Sequence, residues 1–211
     1  ASTGVTIRNA GLKQRNGLDV VSKQDIEGAL HKIKKFKDQD MVGSTTHLSV
    51  IDKENNVASV TTTNGVGAGF TVPGTGIMPN NMLGEKHLNI NGFHNWKSQQ
   101  RIPSNICPTL IVDKNNNLTT LGSAGSSRII SATMSVISNL LNNEMSLKRS
   151  ISKSRIHLEG DTLHCEPSDG HPEYKTENVV IWEAKNMYFG GVNACSSFDS
   201  VGDERRSGVS V

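Results

Sequence analysis

The 211-residue chain carries 22 Lys and Arg against 20 Asp and Glu, is 35% hydrophobic and 4% aromatic, and contains 20 glycines. That is enough chain for one domain with a modest core, built on sheets of Val, Ile and Thr rather than on aromatic packing. A net charge of +2 gives no electrostatic case for a nucleic-acid or anionic-membrane partner, and no run nears the roughly 18 apolar residues of a membrane span. The start Ala1-Ser2-Thr3-Gly4, with neither a methionine nor a signal-peptide pattern, makes a fragment of a longer protein the expectation. Cys107, Cys165 and Cys195 are odd in number and far apart, so neither a disulfide framework nor a zinc knuckle is expected. They read as small buried hydrophobes, and unpaired thiols lean toward a cytoplasmic location.

Residues 1–21 are glycine-rich and polar, without periodicity. Ile26, Leu30, Ile33 and Phe36 then recur at helical spacing behind the capping pair Ser22 and Asp25, which predicts an amphipathic helix over 22–38. Its acids, Asp25 and Glu27, fall in the first turn and its lysines in the last, as the helix dipole prefers, so the basic run is a solvated face. Residues 38–44 read as an exposed connector. From Thr45 the period changes to two. Thr45–Asp52 and Asn56–Thr63 alternate around the turn Lys53-Glu54-Asn55 and form a hairpin that puts Thr45 opposite Thr63, His47 opposite Thr61 and Ser49 opposite Ser59.

Residues 64–85 form a glycine-rich loop, long and specific enough in composition to line a site. Two more strands are predicted at Thr109–Asp113 and Leu118–Leu121, and Gly122–Ser127 then opens a helix over 127–142. That helix is apolar on more than one side (Ile129, Ile130, Met134, Val136, Ile137, Leu140, Leu141), the pattern of a helix sandwiched against a sheet. Short strands follow at Arg155–Leu158, Thr162–Glu166, Val179–Ala184 and Met187–Phe189, then a polar tail; no internal repeat is apparent.

Two segments suit chemistry. The turn Gly122–Ser127 presents backbone N–H groups at the positive end of a helix dipole, where a developing oxyanion can be held; the plain alternative is tight strand–helix packing. It lacks the Lys of a phosphate loop and the spacing of a dinucleotide fingerprint. The segment Gly43–His47 sets a threonine hydroxyl at the head of a strand behind a connector. A cut before Thr45 would place a free α-amine beside that hydroxyl as its base, whereas the plain alternative is threonines on a strand. Asp, Glu and His residues show no metal-ligand spacing, and no metal or other cofactor is expected.

Taken together, Thr45-Thr46-His47-Leu48-Ser49-Val50-Ile51-Asp52, Gly76-Ile77-Met78-Pro79-Asn80-Asn81, Arg101-Ile102-Pro103-Ser104-Asn105-Ile106-Cys107-Pro108-Thr109 and Gly122-Ser123-Ala124-Gly125-Ser126-Ser127-Arg128-Ile129 resemble, in order and spacing, the small catalytic subunit of the gamma-glutamyltranspeptidases. Arg155-Ile156-His157, Gly190-Gly191 and Asp203–Gly208 extend the resemblance to the C-terminal part of the chain. It implies an α/β fold, the four-layer αββα sandwich of N-terminal-nucleophile hydrolases, present in part. Residues 1–44 would be the end of the large subunit and the autoprocessing linker, residues 45–211 the catalytic small subunit, with the cleavage site between Ser44 and Thr45.

By the same resemblance Thr45 is the nucleophile, with its own α-amine as base, and Thr63 the hydroxyl that holds it. Gly125 and Ser126 would supply the oxyanion-hole amides, and Ser104 and Asn105 would bind the donor's α-carboxylate. Asn81, Met82 and Glu85 fall on the loop that grips the donor's α-ammonium. His47 then has an orienting rather than a catalytic role, and His157 and His164 are core or surface residues. Five positions depart from the usual pattern: Gly65 replaces an asparagine, Met82 a glutamine, Glu85 an aspartate, Asn105 the second serine of the carboxylate-binding pair and Ser126 the second glycine of the oxyanion pair. A thioether cannot satisfy an ammonium and only Glu85 could still pair with it, so glutathione is a doubtful substrate. The implied partners are a large subunit from the same precursor, forming a heterodimer or a dimer of heterodimers, and a small γ-glutamyl or related amide. The alternatives are an uncleaved relative acting as a binding or scaffold subunit and an acylase for glutaryl-type side chains.

Overall fold

The computed structural model describes residues 13–15, 18–20, 44–168 and 178–211. The helix expected over 22–38 and the connector before Ser44 lie outside the described residues. Within the aperiodic N-terminal stretch, strands β1 (Lys13–Arg15) and β2 (Leu18–Val20) pair antiparallel.

Strands β3 (Thr45–Ile51) and β4 (Val57–Thr63) form the hairpin in the register read from the sequence, with Thr45 opposite Thr63, His47 opposite Thr61 and Ser49 opposite Ser59. Its turn is closed by Asp52, whose Oδ1 accepts the N–H groups of Glu54 (2.9 Å) and Asn56 (2.8 Å) while Oδ2 accepts the Asn56 side-chain amide (2.9 Å). A second hairpin joins β5 (Thr109–Val112) to β6 (Leu118–Ala124), and Asp113 repeats the same three bonds with Asn115 and Asn117. In both turns the asparagine side chain is the largest influence holding the aspartate below the usual carboxylate range. Asn55 and Asn116 take the left-handed conformation at φ +64° and +62°, which asparagine tolerates. The two five-residue turns, Asp52–Asn56 and Asp113–Asn117, thus repeat one local pattern of side-chain bonds.

The central sheet has the order β5-β6-β10-β11, with β10 (Gly191–Ser196) and β11 (Ser200–Val201) supplied by the segment expected to be a polar tail. Strand β6 also runs three residues farther than predicted, through Gly122 and Ser123 to Ala124, because β10 pairs with it up to Gly191 opposite Ala124. Met187–Phe189, expected as a strand, is a 3-10 turn capped by the Asn186 side chain, which accepts the Tyr188 N–H (2.9 Å).

Helix α1 (Arg128–Leu141) lies on one face of this sheet and the β3–β4 hairpin on the other, giving a β, β, α stack. Helix α2 (Leu147–Ser152), N-capped by Ser146, packs beside α1. The core between helices and sheet is Leu121, Ala132, Val136, Leu147, Ile151, Val192 and Ala194. Burial of such side chains is worth roughly 1.5–3 kcal/mol each and fixes α1 against β6. Only one stripe of α1 is covered, however: Ile130, Met134 and Leu141 are exposed, as are Leu48, Val50 and Val60 on the outer face of the hairpin. A separate sheet, β7 (Ile156–Glu159), β8 (Thr162–Cys165) and β9 (Val179–Ile181), sits beside α1. Of the cysteines only Cys165 is buried; Cys107 and Cys195 are half-buried, which corrects the expectation for those two.

Four charged residues form a buried network behind α1. Arg155 Nη2 donates to Asp203 Oδ2 (2.6 Å), Arg205 Nε donates to Glu166 Oε1 (2.7 Å), and Arg155 Nη1 donates to the Gly190 carbonyl (3.0 Å). Asp203 Oδ2 also accepts the Val192 N–H (2.9 Å). The network therefore clamps the entry to β10, directly beside the end of β6.

Candidate active site

Thr45 opens β3 and is buried, with its Oγ1 2.9 Å from Thr63 Oγ1. The pair meets because both lie at the open end of the hairpin on its inner face. The Gly65 N–H donates to Thr63 Oγ1 (3.0 Å), which leaves the single Thr63 proton available to the Thr45 oxygen.

The Ser44–Thr45 peptide lies in a bulge. Ser44 donates its N–H (3.0 Å) and its hydroxyl (3.3 Å) to the Gly65 carbonyl, and its own carbonyl accepts the Asn64 N–H (3.2 Å), so two residues oppose one. Gly65 sits at φ +60°, and a Cβ there would lie 2.4 Å from the Asn81 carbonyl oxygen. The departure at position 65 thus has a steric reason: Asn81 bridges directly onto this backbone.

His47 lies two residues along the same face and is buried against Gly122, where any Cβ would fall 2.3 Å from the imidazole. Its Nδ1 bonds Thr61 Oγ1 (2.7 Å) and its Nε2 bonds Ser49 Oγ (2.8 Å), while Asn193 Nδ2 donates to its carbonyl (3.1 Å). Burial lowers its pKa from 6.5 to about 4. The unfolded chain then binds the extra proton between pH 6.5 and about 4, so stability rises with pH across that window and this contribution is complete above it. The melting temperature of a His47→Gln variant is expected to depend less on pH over this window than that of the unaltered protein; equal slopes would contradict the assignment.

A small cavity, about 10 Å³ and so sized for a single water, is lined by Thr45, Thr63, Met82, Glu85, Ser104, Asn105 and Ser126 together with His87, Leu88, Ile106 and Ile129. Most of the residues singled out from the sequence meet here. Asn81 stands behind the cavity on Gly65, and Gly125 precedes Ser126 at the end of β6. His87 and the apolar walls were missed; the one signal was the position of His87 two residues beyond Glu85. Larger hollows beside Trp96 (about 270 Å³) and around residues 199–205 (about 530 Å³) include neither Thr45 nor Ser126.

Glu85 is 5% exposed, and its Oε2 accepts the Ser126 hydroxyl while His87 Nδ1 approaches the same oxygen at 3.4 Å. Its loop is tied down by Asn89, whose amide donates to the Leu83 and Glu85 carbonyls and whose Oδ1 accepts Trp96 Nε1 (2.9 Å). Ser126 itself is left-handed at φ +57°. Unlike α2, helix α1 has no side-chain cap, and among the described residues the N–H groups of Gly125 and Ser126 make no hydrogen bond. Two adjacent free donors at an uncapped helix N-terminus can stabilise a developing negative charge.

A sequence profile of the gamma-glutamyltranspeptidases matches residues 9–195. The chain is 28% identical over 183 residues to the glutathione hydrolase proenzyme of Bacillus subtilis (strain 168), covering 80% of this chain and 31% of that protein. It is 31% identical over 156 residues to the acylase ACY 1 proenzyme of Pseudomonas sp. (strain SE83), covering 71% and 28%. A solved mutant of Helicobacter pylori gamma-glutamyltranspeptidase superposes with a TM-score of 0.60 at 27% identity, over 76% of this chain and 99% of the solved one. The chain thus spans about a third or less of these curated relatives. Its fold is that of the N-terminal-nucleophile hydrolases, present in part. The chain belongs to the gamma-glutamyltranspeptidase family.

Proposed function

We propose that residues 45–211 are the catalytic portion of a self-cleaving amidohydrolase or acyltransferase that acts on γ-glutamyl or related amide bonds through Thr45, and that residues 1–44 are the end of a large subunit and its processing linker. The observation that carries this reading is the 2.9 Å contact between the Thr45 and Thr63 hydroxyls, in a cavity that also reaches Ser126 at the open end of α1.

In processing, Thr45 Oγ1 attacks the Ser44 carbonyl carbon, whose oxygen is already polarised by the Asn64 N–H. The acyl group passes from the Thr45 nitrogen to its oxygen, and water hydrolyses the ester, leaving a Ser44 carboxylate and a free Thr45 amine. In turnover that amine takes the hydroxyl proton as Oγ1 attacks the donor carbonyl, then gives it to the departing amine. The Gly125 and Ser126 N–H groups hold the tetrahedral oxyanion, Thr63 donates to the nucleophile oxygen, and water or an acceptor amine resolves the acyl ester. Ser104 and Asn105 bind the donor's carboxylate. The exposed apolar residues Leu48, Val50 and Val60, on a sheet face that a further layer would cover, support a large-subunit partner.

An acylase for glutaryl-type side chains is the second reading, favoured by Met82 and by the apolar Leu88, Ile106 and Ile129 around Glu85. Purified precursor is expected to yield a fragment whose first residue is Thr45; one unbroken, inactive chain would instead support a scaffold subunit. Thr63→Val keeps the side-chain shape and removes the hydroxyl, and is expected to lower kcat roughly 10²-fold, the scale of one positioned group. An unchanged rate would remove Thr63 from the mechanism.

A further inference from the structure

We propose that His87 is the base that resolves the acyl-enzyme: its Nε2 takes a proton from the water or acceptor amine that attacks the Thr45 ester, while Glu85 and Ser126 hold its Nδ1–H. The proposal rests on the reading of Thr45 as nucleophile and adds a step to it.

His87 lies in the 3-10 turn Lys86–Leu88, directly after Glu85, whose carbonyl accepts the Asn89 side-chain amide (2.8 Å). Its Nδ1 stands 3.4 Å from Glu85 Oε2 and 3.5 Å from Ser126 Oγ. Both distances are long for a hydrogen bond, as catalytic contacts often are before substrate arrives. The Ser126 proton is already donated to Glu85, so each oxygen facing Nδ1 can only accept. A neutral imidazole placed there carries its proton on Nδ1 and its lone pair on Nε2, and Nε2 makes no hydrogen bond among the described residues. His47 has no such free nitrogen, since hydroxyls engage both of its ring nitrogens. A buried carboxylate behind an imidazole fixes the tautomer and stabilises the imidazolium that proton transfer creates. Glu85 fits that place with a side chain 6% exposed, and its Oε1, without a hydrogen bond among the described residues, stays open to the donor.

The need for a second base follows from the protons. An α-amine has an ordinary pKa of about 7.7–8.0, so at neutral pH Thr45 is largely an ammonium once the leaving amine has gone, with a proton to give and no lone pair to accept one. As the incoming oxygen or nitrogen bonds the acyl carbon, its proton passes to His87 Nε2. When the tetrahedral species collapses, the C–Oγ1 bond breaks and the Thr45 ammonium protonates Oγ1, which leaves the amine neutral for the next attack. The His87 side chain shares the cavity with Thr45 and is 26% exposed, so it can pass its proton on to solvent. Among the residues lining that cavity, Glu85 and His87 alone carry ionisable side chains.

The test follows p-nitroaniline release by stopped flow, with glutaryl- and γ-glutamyl-p-nitroanilide, on the processed enzyme and its His87→Gln and His87→Gly variants. Acylation frees the aniline, so the first turnover reports acylation and later ones also report resolution. In His87→Gln the first turnover is expected at the unaltered rate and later turnovers roughly 10²-fold slower, the scale of one general base. Added imidazole should speed the later turnovers of His87→Gly by about tenfold and leave the first unchanged, which a purely structural role of His87 does not produce. Later turnovers at the unaltered rate, or a first turnover slowed as much as the later ones, overturn the proposal while leaving Thr45 as nucleophile. Absence of turnover by the unaltered enzyme with either donor overturns the underlying reading instead. Should the variants fail to process, the unaltered enzyme decides after treatment with diethyl pyrocarbonate. A hydroxylamine-reversible loss of the later turnovers alone, with His87 modified in the peptide map, supports the proposal; full turnover with His87 modified, or loss of the first turnover as well, contradicts it.

Discussion

Replacing Thr45 by alanine is expected to leave the precursor uncut at Ser44–Thr45 and without measurable turnover, because one hydroxyl performs the attack in both steps. Among the described residues, neither neighbouring polar group is placed to substitute. Thr63 Oγ1 is 2.9 Å from the lost atom but is itself engaged by the Gly65 N–H, and His47, buried with both ring nitrogens bonded to hydroxyls, is not poised as a base. Thr45→Ser keeps the hydroxyl and should restore cleavage, read as the appearance of the small fragment on a denaturing gel. Cleavage of the Ala variant at the same bond would show that another group performs the attack.

Asp203→Ala is expected to destabilise the fold by about 3–5 kcal/mol, the cost of leaving one member of a buried ion pair unpartnered. Arg155 is 2% exposed, so burial works against its charge, and Asp203 at 2.6 Å is the main opposing influence. The substitution also removes the acceptors of the Val192 N–H (2.9 Å) and the Arg205 N–H (3.0 Å). For a chain of this size the expected fall in melting temperature is roughly 6–20 °C. Asp203→Asn keeps acceptor capacity and should lose less. Because Arg155 grips the Gly190 carbonyl and Gly191 pairs with Ala124, just before the Gly125–Ser126 turn, the surviving folded enzyme should also show a lower kcat. A loss of less than about 1 kcal/mol by calorimetry would mean that solvent reaches Arg155 and relieves it.

What could be read in advance follows from physics that is local in the chain. The β3–β4 register was legible because strict alternation and one short turn leave a single pairing, and the Thr45–Thr63 contact follows from it. Strand β10 was not legible: Gly191-Val192-Asn193-Ala194-Cys195-Ser196 alternates, but its partly polar composition hides a strand whose place is made by β6. The buried network was invisible for a related reason. Arg155, Glu166, Asp203 and Arg205 are spread over residues 155–205, and nothing in their spacing pairs them until the fold brings 155 beside 203 and 166 beside 205. At the site, the Gly125–Ser126 turn was legible through its backbone, whereas the bond from the Ser126 hydroxyl to Glu85 joins residues 41 apart in sequence and depends on a left-handed serine. The resemblance brought Met82, Glu85, Ser104 and Asn105 forward; spacing alone carried no information that three separate loops would share one cavity.

The central claim is that Thr45 becomes an N-terminal nucleophile and carries the acyl group. Brief incubation of the purified precursor with a glutaryl or γ-glutamyl anilide, acid quenching and peptide mapping by mass spectrometry tests it directly. The expected result is a peptide beginning at Thr45 with the acyl mass on that residue, absent from the Thr45→Ala variant; an acyl group on any other residue, or turnover by a chain still joined through Ser44, would contradict it.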